Sequence, residues 1–299
     1  MDSYLDLARQ GKNDWWRFVL AVLTVFFFWQ VLGAIPTVLL YLGASFGDDP
    51  AALAAPADGV GIDPLLAFTA LMLASLFFLL GLYLALRFIH RRRLLTLVTP
   101  AASISWPRLA QGFMLWSAIC GLTALGEALL YPGRYVLTLD PPRFVPLVFL
   151  ALALVPIQAS TEELFFRGYL LQGFGLRLRN IWLLSLVSGV LFGVPHLLNP
   201  EAGANYLLMG LYYVSIGAGL AYVALRDGRL ELALGLHAAN NLFTALFANY
   251  TVTVMPTPAL FTINTLDATY SLLALLPGLL VFVLVFFGPR QGAGEAQAG

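Results

Sequence analysis

The stretch Thr161-Glu162-Glu163-Leu164-Phe165-Phe166-Arg167 puts three ionisable side chains within a turn and a half, near the end of a hydrophobic run that begins around Phe144. A charge at the centre of a membrane-inserted helix costs about 2.5 to 3.5 kcal/mol on insertion scales, so such a cluster calls for a chemical reason. At 100° per residue, Glu163 and Arg167 share a helical face in i,i+4 spacing and can pair, while Glu162 points about a quarter-turn away. One carboxylate is then held by the arginine and the other is free for acid–base work. Later apolar runs supply partners: Phe192 and His196 share one face, as do His237 and Asn241, each pair again i,i+4.

Taken singly, His196 and His237 read as hydrogen-bonded structural histidines. Taken with two glutamates, an arginine and an asparagine in otherwise apolar segments, they read as a site, because ionisable intramembrane groups normally face an interior cavity and act there. The third histidine, His90, stands beside Arg91, Arg92 and Arg93 and reads as an interfacial residue of a solvated basic loop.

The elements that must position these groups are membrane helices. The 299 residues are 60% hydrophobic and only 11% charged, far from the charged fraction of about 25% usual in soluble domains. Sixteen basic residues balance sixteen acidic ones, so no overall field attracts nucleic acid. The one cysteine, Cys120, excludes an intramolecular disulfide and reads as a small core or lipid-facing residue. Residues 1–15 read as an interfacial helix leading to a tryptophan belt at Trp15 and Trp16. Runs near 16–42, 64–89, 109–131, 144–173, 181–198, 205–225, 230–249 and 268–288 are each long enough to suggest a span, and backbone satisfaction in hydrocarbon makes them helices. The fold class is therefore an all-α polytopic bundle of about eight transmembrane helices. Lys and Arg concentrate in alternate loops, which by the positive-inside rule puts both termini and every Arg-rich loop in the cytoplasm. The connections Ala51 to Pro64 and Met255 to Pro258 read as exposed, and the tail from Gly288 to Gly299 as disordered.

Glu-Glu-x-x-x-Arg (Glu162, Glu163, Arg167), Phe-x-x-x-His (Phe192, His196) and His-x-x-x-Asn (His237, Asn241), in this order on successive hydrophobic segments, resemble the CAAX protease and bacteriocin-processing family, which includes the type II CAAX prenyl endopeptidases and the proteins called Abi. The resemblance covers about residues 144–249. It divides the chain into an N-terminal segment with three helices (1–143), a catalytic core of four helices (144–249) and a last helix with its tail (250–299). It implies an intramembrane endopeptidase of a prokaryotic plasma membrane, whose partners are the bilayer and a peptide or lipidated protein substrate.

Peptide hydrolysis needs a base to activate water, a proton donor for the leaving amine, and donors for the oxyanion. Glu162, not tied to Arg167 by spacing, is the expected base. His196 would share the water, and His237 with Asn241 would stabilise the oxyanion, matching the residues the family assigns to its active site. Glu163, Arg167 and Phe192 would support them. The cofactor stays open: Glu162, His196 and His237 form a set that catalytic zinc can use, and members of the family have been described as both metalloproteases and metal-independent glutamate proteases. The chain lacks His-Glu-x-x-His, and the reading leans away from tightly bound Zn2+.

One difficulty is depth. Counted from Ile181, His196 lies about fifteen residues or roughly 22 Å along its helix, which in a straight, perpendicular span is too far outward to meet Glu162, roughly ten residues from the cytoplasmic end of its own. The cavity is expected to open toward the cytoplasmic half. The rival readings are a non-catalytic scaffold or bacteriocin-immunity protein on the same fold, and a proton-coupled transporter, which the absence of paired broken helices disfavours. Glu127 is expected to reach the outer interface, and Trp29 and Trp116 to pack or anchor.

Overall fold

Hydrocarbon offers no partner for an open peptide group, so the apolar runs close their hydrogen bonds internally. In the computed structural model, which describes residues 3–46 and 62–289, α1 (Trp15–Phe26) continues through π-helical turns at Phe27–Leu32 toward α2 (Ile35–Phe46). Next, α3 (Pro64–Leu84) continues through π-helical Ala85–His90 and is followed by α4 (Trp106–Leu130). Helix α5 (Pro141–Glu163) runs through π-helical Leu164–Leu170 into α6 (Leu171–Gly175). Then come α7 (Ile181–His196), α8 (Tyr206–Asp227), α9 (Glu231–Leu246) and α10 (Ala268–Phe287). Several start where a side chain satisfies an orphan N–H: Asp63, Asn180, Asn205 and Asp267 accept from Leu65, Leu183, Leu208 and Tyr270. Helix α8 stops at Gly228, whose φ of +67° suits glycine.

Six of these segments are long and apolar enough to cross a membrane: Trp15–Gly43, Pro64–His90, Trp106–Leu130, Pro141–Gly175, Tyr206–Asp227 and Ala268–Phe287. Among the described residues, six of the eight expected spans meet that length and hydropathy. The other two, α7 and α9, have 16 residues each, about 24 Å at helical rise against roughly 30 Å of hydrocarbon. Helix α9 is enclosed by α4, α5 and α8, so its apolar side chains face protein, which hydropathy does not distinguish from lipid.

Close approach depends on small residues. A Cβ at Gly189 would lie 2.6 Å from the Val214 carbonyl oxygen, and one at Gly193 2.8 Å from a Val214 methyl. Helices α7 and α8 thus touch backbone to backbone. Gly112 and Gly235 play the same part between α4 and α9, where an added Cβ would collide with the Leu232 and Leu109 carbonyls.

The two ends of the bundle differ in charge. At one end the Lys12 N–H donates to the His90 carbonyl, Arg17 to the Ile89 carbonyl, Arg179 pairs with Asp6 at 2.6 Å, Arg108 with Asp227 at 2.6 Å, and Arg229 with Glu231 at 2.8 Å. Every lysine and arginine lies in the segments gathered there except Arg134, Arg143, the buried Arg167 and Arg290, which falls outside the described residues. The opposite end carries a small sheet in the order β1 (Tyr135–Leu137), β3 (Phe261–Ile263), β2 (Ala248–Tyr250), antiparallel then parallel. Asp63, Glu127, Asp140, Glu201 and Asp267 stand at this end, with Arg143 on Asp63 at 3.2 Å and Arg134 on Glu127 at 2.8 Å. The loops grouped by the charge alternation do share an end.

Four expectations change. The N-terminal segment, read as an interfacial helix, is a short 3-10 helix (Tyr4–Gln10) that buries Tyr4, Leu7 and Ala8 in the bundle. His90 is buried, its Nδ1 donating to the Lys12 carbonyl at 2.7 Å and its Nε2 2.9 Å from the Tyr169 hydroxyl, because the preceding π-helical turns rotate it inward. Glu127 is buried too, held by Arg134 and by the Tyr135 hydroxyl at 2.7 Å. The connection at Met255 to Pro258 is half-buried and pinned by Asn249, which donates to the Met255 carbonyl at 2.7 Å. Most of the Ala51 to Pro64 connection and the tail beyond Pro289 lie outside the described residues.

Candidate active site

Glu162 and Glu163 end α5, and the π-helical stretch Leu164–Leu170 follows at once. Such turns recur at functional sites because they re-aim side chains. The spacing argument holds: Arg167 Nη1 donates to Glu163 Oε1 at 2.8 Å, with both side chains fully buried. Arg167 Nη2 donates to the Gly217 carbonyl at 3.1 Å, within reach because α8 lies so close to α7, and the guanidinium sits 4.3 Å from the Phe192 ring centroid.

Glu162 points instead into a cavity of about 330 Å³ whose wall includes Gln158, His196, His237, Asn240 and Asn241. Its Oε1 accepts from Gln158 Nε2 at 2.6 Å. Its Oε2 is buried without a hydrogen-bond partner and lies 3.6 Å from His237 Nε2.

The ring protons follow from the partners. His196 Nδ1 lies 2.7 Å from the Phe192 carbonyl, which only accepts, so Nδ1 carries the hydrogen and Nε2 keeps a lone pair. His237 Nδ1 lies 2.8 Å from Glu163 Oε1, the oxygen that also takes Arg167, and Asn241 Nδ2 approaches His237 Nε2 at 3.2 Å. His237 is thereby fixed between two carboxylates.

A second chain of bonds runs in one direction. The Trp116 indole N–H, a donor only, meets Asn240 Oδ1 at 3.2 Å, which turns Asn240 Nδ2 onto Asn241 Oδ1 at 3.2 Å. Asn241 Nδ2 must then face Gln158 Oε1, at 2.9 Å, and Gln158 Nε2 must face Glu162. The chain delivers a donor to one oxygen of Glu162 and leaves the other open.

The depth difficulty disappears because α5 and α6 form one continuous helix to Gly175. Glu162 lies thirteen residues, about 20 Å, from the turn at residues 176–180, and His196 fifteen residues, about 22 Å, beyond it. The two reach the same level from a shared end. His237 meets them six residues into α9 because that helix starts inside the protein, at the fully buried Glu231.

Residues 142–243 match the family model described as type II CAAX prenyl endopeptidase, Rce1-like. The chain is also 35% identical over 264 residues to the uncharacterized protein YyaK of Bacillus subtilis strain 168, covering 85% of each chain. The chain belongs to the Rce1-like family of type II CAAX prenyl endopeptidases. This is a family of intramembrane proteases, and the six apolar helices make this member an integral membrane protein. No solved structure matches the chain significantly.

In this Rce1-like chain the three motifs converge on one cavity: Glu162, His196, His237, Asn241 and Phe192 line it, and Glu163 and Arg167 lie behind it. Gln158, Asn240 and Trp116 were not foreseen as parts of the network. Gln158 had a signal, being four residues before Glu162 in an apolar helix, and Asn240 adjoins a motif residue. Nothing in the sequence marks Trp116 as their neighbour. As for zinc, Glu162 Oε2 and His237 Nε2 face one another, but among the described residues no three His, Cys, Asp or Glu side chains converge as a metal set. As placed, the donors do not fit a three-ligand zinc site, and no step is routed through one.

Proposed function

We propose that this protein is an endopeptidase that hydrolyses a peptide bond of a membrane-associated polypeptide, with Glu162 as general base. The observation that supports this most is Glu162 Oε2, a carboxylate oxygen without a hydrogen-bond partner beside His237 Nε2 in a cavity. Water bound between Glu162 and the His196 Nε2 lone pair gives a proton to Glu162 as its oxygen attacks the carbonyl carbon. The carbonyl oxygen becomes an oxyanion beside the Asn241 amide and His237. When the C–N bond breaks, Glu162 returns the proton to the departing amine. Glu163, Arg167 and Gln158 act by holding these groups, since positioning multiplies the effect of each.

The arginine-rich end, which also holds the start of α1 and the end of α10, is the cytoplasmic one in this reading. The Bacillus relative supports a prokaryotic plasma membrane.

The test is cleavage of quenched fluorescent peptides, farnesylated and unfarnesylated, by detergent-purified protein with and without a strong chelator. Glu162→Gln is expected to lower kcat by about 10²- to 10⁴-fold, the usual worth of a general base, with no effect of the chelator on the wild type. Chelation that stops cleavage and zinc that restores it would reassign Glu162 and the histidines as ligands. No cleavage under any condition would favour a scaffold on this fold.

A further inference from the structure

We infer that substrate reaches Glu162 from the end of the bundle opposite the arginines, so that the substrate is a polypeptide segment presented at the extracytoplasmic face of the membrane. This rests on the endopeptidase reading above and reverses the expectation of a cytoplasmic opening.

The first observation is the cavity wall. Beyond the helical side chains that form its sides, the wall includes Asn199, Glu201, Tyr250, Thr253, Val254 and Met255, which lie in loops, in the 3-10 turn Pro200–Ala204 and in strand β2 at the acidic end. None of the arginine-rich loops contributes to it. The second is the floor. On the basic side of the Glu163–Arg167 pair, Tyr4, Leu97, Phe165, Tyr169 and Leu230 are all buried. The Tyr4 hydroxyl contacts the Leu97 carbonyl at 2.8 Å and the Arg167 carbonyl at 3.1 Å, so the N-terminal segment is stitched onto the helix that carries the site. Leu97 packs so tightly on Gly168 that a Cβ there would lie 2.8 Å from the Leu97 Cβ. A peptide coming from that side would have to displace this packing. The third is charge. Arginines concentrate at the closed end, and in a plasma membrane such loops stay in the cytoplasm. The open end therefore faces outward.

The wall also limits what enters. It carries the carboxylates of Glu162 and Glu201 and no lysine or arginine. Glu201 Oε1 accepts from Thr253 Oγ1 and the Val254 N–H, each at 2.9 Å, while its Oε2 is buried and unpartnered. Like charge next to desolvated carboxylates is strongly disfavoured. The segment that fits is apolar, with amide or basic groups near the scissile bond and no free carboxylate.

The experiment uses the full chain with Cys120→Ala, in intact bacterial cells, and a membrane-impermeant maleimide. Thr253→Cys marks the mouth, Thr244→Cys and Ser271→Cys two positions on the cavity wall, and Arg177→Cys the arginine-rich end. The expected result is labelling of Thr253→Cys and of at least one wall position in intact cells, with Arg177→Cys labelled only after permeabilisation. Labelling of Arg177→Cys in intact cells, or wall positions reached only from its side, would overturn the inference. Labelling is read without catalysis, so a lack of peptide cleavage in detergent strikes the endopeptidase reading alone. Where cleavage is seen, peptides with lysine flanking the scissile bond should exceed glutamate analogues by at least about tenfold in kcat/KM, and Glu201→Gln should narrow the gap.

Discussion

Arg167 and Glu163 form an ion pair with no exposure to solvent, and its removal can be worked through from the contacts. Arg167→Ala deletes the 2.8 Å bond to Glu163 and the donor to the Gly217 carbonyl, and empties the space beside the Phe192 ring. A buried pair broken on one side typically costs about 3 to 5 kcal/mol, because the remaining charge is desolvated and unmatched. Glu163 keeps one donor here, His237 Nδ1 at 2.8 Å, which puts the expected cost near about 3 kcal/mol, roughly a hundredfold in the folding equilibrium. Arg167→Met with Glu163→Gln should cost much less than the sum of the single changes, since it leaves no buried charge unpaired. The assay is reversible unfolding of purified protein in detergent, read as a double-mutant cycle. Arg167→Ala costing under about 1 kcal/mol, or strict additivity in the cycle, would refute the argument that the pair is electrostatically coupled.

Gln158→Leu removes the link between Asn241 and Glu162, and on the proposed mechanism, in which Gln158 positions the base, should lower kcat by about tenfold or more with little change in KM. Trp116→Phe, which removes the donor that starts the chain, should give a smaller loss of the same kind, and unchanged kcat in both would strip the chain of its positioning role. Gly235→Ala drives a methyl group into the Leu109 carbonyl and should lower stability by about 1 to 3 kcal/mol, checked by thermal unfolding in detergent. Acidity should loosen the N-terminal segment: hydrogen bonds from Arg179, Ser3 and Arg9 hold the Asp6 carboxyl below its ordinary value of 3.8. A depressed acid contributes its stability fully above that value and loses it as the pH falls further, so hydrogen exchange in Tyr4–Gln10 should rise below about pH 4. Asp6→Asn should remove that dependence.

By contrast, the Arg92 guanidinium behind this segment is pulled down by burial from 12.5 to about 10, which leaves it charged throughout the neutral range. It donates to the Thr96 carbonyl at 2.9 Å and to the Gln172 side-chain oxygen, joining the loop after α3 to α6. The closed end of the bundle is therefore polar but satisfied.

The sequence by itself determined the class of molecule, the all-helical architecture, the grouping of loops by charge and the Glu163–Arg167 pair. These depend on composition, on the lack of backbone partners in hydrocarbon and on i,i+4 geometry, all of which act locally along the chain. It also named the side chains that line the cavity, because a charge or an imidazole in an apolar run is costly wherever the run ends up. Tertiary structure alone decided the rest. That Trp116 on α4 orients Glu162 on α5 through Asn240, Asn241 and Gln158 depends on which helices touch, as does the burial of His90 and Glu127. Hydropathy cannot separate a helix facing lipid from one wrapped in protein, which is why the enclosure of α9 by α4, α5 and α8 was not legible in its apolar run. The closed floor under Arg167 exists because the Tyr4 hydroxyl meets the carbonyls of both Leu97 and Arg167, 93 and 163 residues away in the chain, and only the packed fold brings them there.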